Sequence, residues 1–476
     1  MPMLHRFFKD STIYVVPVVL SRGIGLLLLP VYTRYLSPTE YGVLEILGIA
    51  YALLNLLLPL EISQAVARLL PEADATKKIR YASTSFWYTA IVFSGFAAMV
   101  WMFPATAGNL FFGRTGYEHM VGIGVLAMVP NALFYVVQNQ LRWNLQSKES
   151  AIVSIVYSVV MAVVAVTLVA LFRFGIYGYI LGQLSASLIA LLLGLYYSRD
   201  KIPLRLSFDG LLLKEMLAFS APLVFSGLAV YLNQYTDRWV LREFLGIDEV
   251  GIYGVAYRIA SITALAIIAF QMAITPLVYK HYKEPDTAQT VGRIFSYFLL
   301  VSLPLVGFIG AFSAEIVSII ATTTFQSADR LAPWLAMAVI LMGIYVFAPG
   351  LGIAKKTGLI AVINVVAAGT NIALNFTLVP IYGAVGAAFA TLCGGAIMAS
   401  LYFWIASRFY AVAYRKWRGI SALIFTLLFL ALATSNMQID MEIRALAWIL
   451  FTLFIFASQT NQTDWREFTG YLRSKK

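Results

Sequence analysis

Charge is scarce in this chain. Asp, Glu, Lys and Arg together make 12% of its 476 residues, about half the ~25% of an ordinary soluble domain. Hydrophobic residues make 61%, more than polar side chains could screen from water. An aqueous globular protein is thereby excluded, and the bilayer is the expected solvent. Cysteine is nearly missing: Cys393 stands alone in an apolar run, so neither an intramolecular disulfide nor a zinc cluster can be built. The three histidines, His5, His119 and His281, sit near helix ends and cannot converge as a metal site. No G-x-x-x-x-G-K-[ST] loop occurs, and GLGIAKKTG lacks its spacing, which argues against ATP hydrolysis by this chain. H-E-x-x-H and G-x-S-x-G are also missing. The expectation is a protein that is not an enzyme and uses no cofactor or metal.

What is present is a succession of apolar runs. Each is about 20 residues long, enough to cross a ~30 Å hydrocarbon core as a helix. They fall near 12–36, 42–68, 81–104, 120–144, 150–172, 176–197, 214–245, 250–280, 291–321, 331–353, 357–380, 384–406, 417–435 and 443–459. A membrane barrel would instead show ~10-residue segments of alternating polarity, and SIVYSVVMAVVAVTLVAL does not alternate. The fold class expected is an all-α polytopic membrane protein of about fourteen transmembrane helices. The N-terminal apolar stretch runs past the length of a signal peptide, with no small-residue cleavage site after it, and reads as the first span.

The net charge of +11 is spread over short loops and forms no basic arm, so no nucleic-acid partner is expected. Its distribution sets an orientation. With the N-terminus cytoplasmic, 25 of the 34 Lys and Arg residues fall in inside segments and six in outside ones, the bias that places both termini in the cytoplasm. The longest inside connection, SRDKIPLRLSFDGLLLKE, lies near the middle, and its FDGLLLKEML part reads as an amphipathic interfacial helix.

The sequence on the two sides of that connection repeats. LSPTEYGVLEI answers LGIDEVGIYGV through Gly42 and Gly251, and Gly175-Ile176-Tyr177-Gly178 answers Gly383-Ala384-Val385-Gly386. Pro17 and Pro222 form a third pair at nearly the same offset. The organisation expected is an N-lobe at 1–200 (spans one to six), a C-lobe at 201–406 (spans seven to twelve), and two extra helices with a cytoplasmic tail at 407–476. Six-helix repeats entering from one side relate by an axis along the membrane normal and flank a central cleft, the plan of a transporter. Pro17, Pro59, Pro130, Pro222, Pro276, Pro304 and Pro349 fall within spans as kinks.

YTRYLSPTEYGVLEI, YTDRWVLREFLGIDEVGIYGVAYRIA and NVVAAGTNIALNFTLVPIYGAVGAAFATL resemble the Wzx-type polysaccharide-biosynthesis flippases. These belong to the MATE-like (MOP) exporter superfamily that also holds multidrug antiporters and lipid II flippases. The resemblance rests on Asp237-Arg238 followed by Gly246, Gly251 and Tyr253. It rests also on Asn364 or Asn371 followed by Leu374-Asn375, Pro380 and Gly383 to Ala388. It implies translocation of an undecaprenyl-diphosphate-linked oligosaccharide (an O-antigen, capsule or exopolysaccharide unit) across a bacterial inner membrane by alternating access. It further implies a cationic cavity, H+ or Na+ coupling, and a polysaccharide polymerase as partner.

Ionised side chains inside the bilayer are costly, so they are candidate functional groups. Arg22, Arg258 and Arg238 are candidates for the substrate diphosphate, since guanidinium stays charged and offers paired donors to phosphate oxygens. Pairing with Asp237, Glu45 or backbone carbonyls is the structural alternative. Asn55, Gln64, Tyr231, Asn233, Gln234, Tyr257 and Gln271 are candidates to line the cavity for sugar. Asp237, Glu45 and Glu61 are candidates for ion coupling, because a carboxyl in low dielectric can trade its proton. Two alternatives stand beside the flippase. A cation antiporter of the same superfamily would find Arg22 and Arg258 repulsive to its substrates. A membrane-embedded polysaccharide polymerase would need a large outer loop, and the longest here is PATAGNLFFGRTGYEH.

Overall fold

The computed structural model describes residues 25–113, 116–201, 203–435 and 439–460. His5, Pro17, Arg22 and most of the expected first span lie outside them. Among the described residues every regular element is helical. In chain order these are α1 (Leu29–Tyr35), α2 (Pro38–Leu57), α3 (Ile62–Leu69), α4 (Ala75–Met102), α5 (Pro104–Phe112), α6 (Glu118–Trp143), α7 (Ser147–Val166), α8 (Gly175–Ser198) and α9 (Gly210–Ser220). They continue as α10 (Leu223–Phe244), α11 (Ile247–Ala260), α12 (Ile262–His281), α13 (Thr287–Ile320), α14 (Ala328–Gly343), α15 (Gly350–Ile353), α16 (Thr357–Ala406), α17 (Lys416–Ala433) and α18 (Met441–Gln459).

Eleven of the described helices are long and apolar enough to cross a membrane. A twelfth crossing is the pair α9–α10, bent by 50°. At ~1.5 Å per residue the 50 residues of α16 reach well over twice the ~30 Å core, so α16 makes two crossings. Its break is Gly383 at φ 62°, ψ −144°, a conformation that a Cβ disfavours. The protein is therefore a multi-pass, all-helical membrane protein. Leu446, Leu450 and Leu453 of α18 stand more than half exposed, a face suited to lipid and not to water.

Several crossings are less regular than their apolar runs suggest. The second, expected over 42–68, stops at Leu57, because Pro59 has no amide proton to extend the ladder. Leu60 and Glu61 then take left-handed backbone before α3. The seventh, expected over 214–245, is divided at Ala221-Pro222 into α9 and α10. Pro130 and Pro304 remain inside α6 and α13.

The described residues form two compact units, one up to Gly254 and the other from Val255. In the first, α8 packs on α6 and α7. Buried Phe86, Phe134, Val137, Val153 and Ala190 fill that junction, and Asn131 Nδ2 bridges Ser187 Oγ (2.9 Å) and Tyr157 OH (3.1 Å). α10 belongs to this unit too and packs on α2 around Ile49, Leu56 and Tyr231.

In the second unit α14 packs against α16, and α17 and α18 close on α13. Gly310 meets Leu430 and Gly307 meets Phe451, where any Cβ would collide. α13 is kinked at Phe312. There the Ala311 carbonyl accepts from Arg444 Nη1 at 3.0 Å, and the same nitrogen lies 3.1 Å from Glu315 Oε2.

The repeat seen in sequence recurs as backbone detail. Leu145 and Lys355, 210 residues apart, are both left-handed (φ 59° and 54°). Each is followed by a matching bond, Gln146 N to Leu141 O and Lys356 N to Leu351 O, both 2.9 Å. Gly175 and Gly383, 208 apart, are both at positive φ. The glycine three residues after each, Gly178 or Gly386, lies against the backbone of Leu168 or Leu378 in the preceding arm. In the second copy Asn371 Nδ2 also reaches Thr391 Oγ1 across the hairpin at 3.3 Å, and Asn375 Nδ2 donates to the Asn371 carbonyl at 2.9 Å.

Candidate functional site

Successive residues of a helix point ~100° apart, so Asp237 and Arg238 do not pair merely by being neighbours. Here the guanidinium folds back along α10. Arg238 Nη1 donates to Asp237 Oδ1 (3.0 Å) and Oδ2 (3.3 Å) and to the Gln234 carbonyl (3.0 Å). Arg238 Nε lies 3.9 Å from Glu45 Oε2 on α2. Tyr253, on α11, donates its hydroxyl to Asp237 Oδ2 at 2.7 Å. The rings of Tyr253 and Tyr235 lie 5.3 and 5.8 Å from the guanidinium carbon, within cation–π range. Asp237 and Arg238 are only 3% and 2% exposed. One cation thus lies between two carboxyl groups, away from water and joined to three helices.

A second contact brings α2 and α11 together. Gly42 lies against the carbonyl of Ile247, and Gly251 lies against the carbonyl of Pro38. Pro38 and Ile247 are 209 residues apart, as are Gly42 and Gly251. Residue i of one copy therefore meets residue j of the other, and j meets i, which is the signature of a two-fold relation. Thr39 Oγ1 and Asp248 Oδ1, hydrogen-bonded at 2.6 Å, are themselves 209 apart and so lie on the local axis. One turn deeper the symmetry fails. Glu45 lies across Gly254, and its carboxylate continues toward Arg238. Only the absence of Cβ atoms at residues 42 and 251 lets the two backbones approach this closely.

Of the residues singled out in sequence, Glu45, Tyr231, Asp237 and Arg238 come together. Tyr231 accepts from Trp239 Nε1 (2.9 Å) and donates to the Ile49 carbonyl (3.3 Å), which ties α10 to α2. Gln234 engages Arg238 through its carbonyl, and its side chain is exposed. Asn55 and Asn233 are half-buried, and Gln64 is exposed on α3. Glu61 occupies the break before α3 at φ 54° and faces Gly227 of α10. Tyr257 and Arg258 are half-buried on α11 and Gln271 is exposed on α12; all three belong to the second unit. Arg22 lies outside the described residues. Sequence reasoning missed Tyr253 as a partner of Asp237. The signal was the motif that carries both, Asp237-Arg238 with Tyr253 closing the glycine pair.

The fold defines the class: a multi-pass membrane protein with the architecture of MOP-superfamily transporters. The structure is similar to the lipid II flippase MurJ in an inward closed conformation, with TM-score 0.74 and 15% identity over 94% of this chain and 98% of that one. It is also similar to an inward-facing multidrug resistance MATE family transporter of the MOP superfamily, with TM-score 0.63 and 17% identity over 85% of this chain and 95% of the other. Residues 31–329, more than half of the chain, match the family described as "Polysaccharide biosynthesis protein". The chain belongs to that family. A curated relative from Haloferax volcanii, the "Probable low-salt glycan biosynthesis flippase Agl15", is 28% identical over 220 residues, 44% of this chain. The match spans less than half, 46%, of that relative.

Proposed function

We propose that this protein is a flippase that moves an undecaprenyl-diphosphate-linked oligosaccharide across the bacterial inner membrane by alternating access, with both termini cytoplasmic. Family membership, the duplicated six-helix plan and the glycan flippase among its relatives support the reading. The observation that carries it is the contact of α2 with α11. The contact is made by backbone against backbone at Gly42 and Gly251 with one polar bond on its axis. The approach of the two helices is set at these glycines by main-chain contact, with the Ile247 and Glu45 side chains packed beside it. A site that must open to one side and then the other needs a seam of this kind.

In the proposed cycle Arg22 and Arg258 receive the diphosphate, and Arg238, whose carboxylate partners lie on α10 and α2, is the third candidate for it. Asn55, Gln64, Asn233, Gln234, Tyr257 and Gln271 meet sugar hydroxyls. Asp237 and Glu45, which share one guanidinium, and Glu61 are the groups through which an H+ or Na+ gradient acts. A polysaccharide polymerase then takes the flipped product.

The test is complementation of a bacterial strain lacking its own glycan flippase, with protein level checked by immunoblot. Arg258→Ala and Arg22→Ala lose export and accumulate the lipid-linked unit, while the Lys variants keep part of it. Full export by both Ala variants at normal protein level removes the proposed diphosphate site. Failure of the unaltered protein to restore export with any lipid-linked unit removes the substrate class.

A further inference from the structure

The segment between the eighth and tenth helices carries a surface that the transport reading does not use. From Pro203 to Asp209 the chain is clamped to α4. Arg205 N donates to Ser83 Oγ (2.9 Å), Asp209 N donates to Thr84 Oγ1 (3.1 Å), and Trp87 Nε1 donates to the Arg205 carbonyl (2.8 Å). Asp209 then caps α9 by accepting from the amides of Leu211 (3.0 Å) and Leu212 (3.2 Å). Leu212 and Met216 turn inward and bury against Ile62, Val66, Leu70 and Tyr81. That fixes which face is left outside.

The outer face has two kinds of side chain. Leu206 and Leu211 are 92% and 82% exposed, and Phe208 is half exposed. Lys201, Arg205 and Lys214 are exposed beside them. The acidic groups of the same stretch are all engaged by the protein. Asp200 pairs with Arg199 (3.5 Å), and Asp209 pairs with Arg80. Glu215 accepts from Tyr81 OH at 2.8 Å and lies 3.8 Å from Lys77. Among the described residues, Lys201, Arg205 and Lys214 pair with no carboxylate. The carboxylates of the segment thus each have a cationic partner within the protein, while Lys201, Arg205 and Lys214 stand on the exposed face next to large apolar side chains held in place by the clamp to α4.

We propose that Lys201 and residues 203–219 form a docking surface for anionic phospholipid headgroups at the basic end of the bundle. Leu206, Phe208 and Leu211 enter the acyl boundary, and Lys201, Arg205 and Lys214 attract the phosphates. Apolar anchors flanked by cations suit an anionic interface, since basic side chains near such a surface each add attraction that falls off within a Debye length. A soluble acidic partner would leave the exposed leucines unmatched. A zwitterionic lipid surface would leave the cations unmatched.

The experiment uses the full-length protein with Cys393→Ser and Ala218→Cys, labelled at residue 218 with a small fluorophore and reconstituted into nanodiscs of phosphatidylcholine with phosphatidylglycerol. Brominated chains are placed on one lipid or the other at equal mole fraction. The brominated anionic lipid quenches roughly twofold more than the brominated zwitterionic lipid, because it is enriched beside the label. The K201Q/R205Q/K214Q variant quenches equally with both. The charge-preserving K201R/R205K/K214R variant keeps the preference, which separates charge from folding. Equal quenching in the unaltered protein, or a preference that survives the Gln variant, overturns the proposal. Loss of the preference on adding a second copy of the chain also overturns it, in favour of self-association.

Discussion

At the residue scale the most constrained groups are those around Arg238. A guanidinium taken out of water is tolerated only where acceptors and counter-charges replace its hydration, and Asp237, Glu45, Gln234 O and two tyrosine rings do so here. Tyr253→Phe removes one bond to a buried carboxylate without opening space. It is expected to cost about 1.5–3 kcal/mol, the range for hydrogen bonds to charged groups, read as a lower thermal unfolding midpoint in detergent. An unchanged midpoint means that Asp237 finds another donor.

Outside the membrane, Asp209 offers a pH test. The hydrogen bond from the Leu212 amide, with that from Leu211 and the Arg80 charge, holds its carboxyl below the ordinary value. A depressed folded value stabilises the protein above the unfolded-state pKa of ~3.9 and loses that contribution as pH falls through the folded value. Asp209→Asn is therefore expected to lower the unfolding midpoint at pH 7 and to leave it nearly unchanged in strong acid. An equal difference at both pH values refutes the assignment.

At the scale of elements, the fold depends on where helices are allowed to come close. α2 and α11 touch through Gly42 and Gly251, and each glycine faces a carbonyl of the other helix. Gly42→Leu puts a branched side chain where the Ile247 carbonyl stands. The two ends are expected to be forced apart, and a cysteine placed at residue 39 to react several-fold faster with a membrane-impermeant maleimide. An unchanged labelling rate argues that the helices slide past the obstruction.

The breaks in the helices are equally local in cause. Pro59 ends α2, Pro222 stands at the bend before α10, and Gly383 turns α16 back on itself. All three were visible as residue types. The irregular backbone at Leu60 and Glu61 was not, because neither residue type favours left-handed backbone.

At the scale of the whole molecule, the proposed alternating-access cycle opens and closes the seam in every turnover. Thr39→Cys with Asp248→Cys places thiols where a 2.6 Å hydrogen bond now joins the two copies. Oxidation is expected to stop glycan export nearly completely, and a reductant to restore it, while either single variant keeps exporting. Undiminished export by the cross-linked protein excludes any mechanism that parts this contact.

The same whole-molecule view separates what the chain determines by itself from what folding decides. Solvent class, helical content, the repeat and the direction of the charge bias follow from composition and spacing, because a bilayer leaves a polar backbone no alternative to closed hydrogen bonding. The family resemblance was likewise legible in local strings, of which that around Asp237-Arg238 falls within the matched residues 31–329. Partnership was not. Gly42 and Gly251 served in sequence only as landmarks of duplication, and folding brings each onto the other copy's backbone. Arg238, read as a candidate for phosphate, is bound up with Asp237 and Glu45, and Tyr253 holds Asp237 from a separate helix. Which charges meet depends on the rotation and depth of each helix against its neighbours. Those are set by close packing among residues hundreds of positions apart, and no single apolar run encodes them.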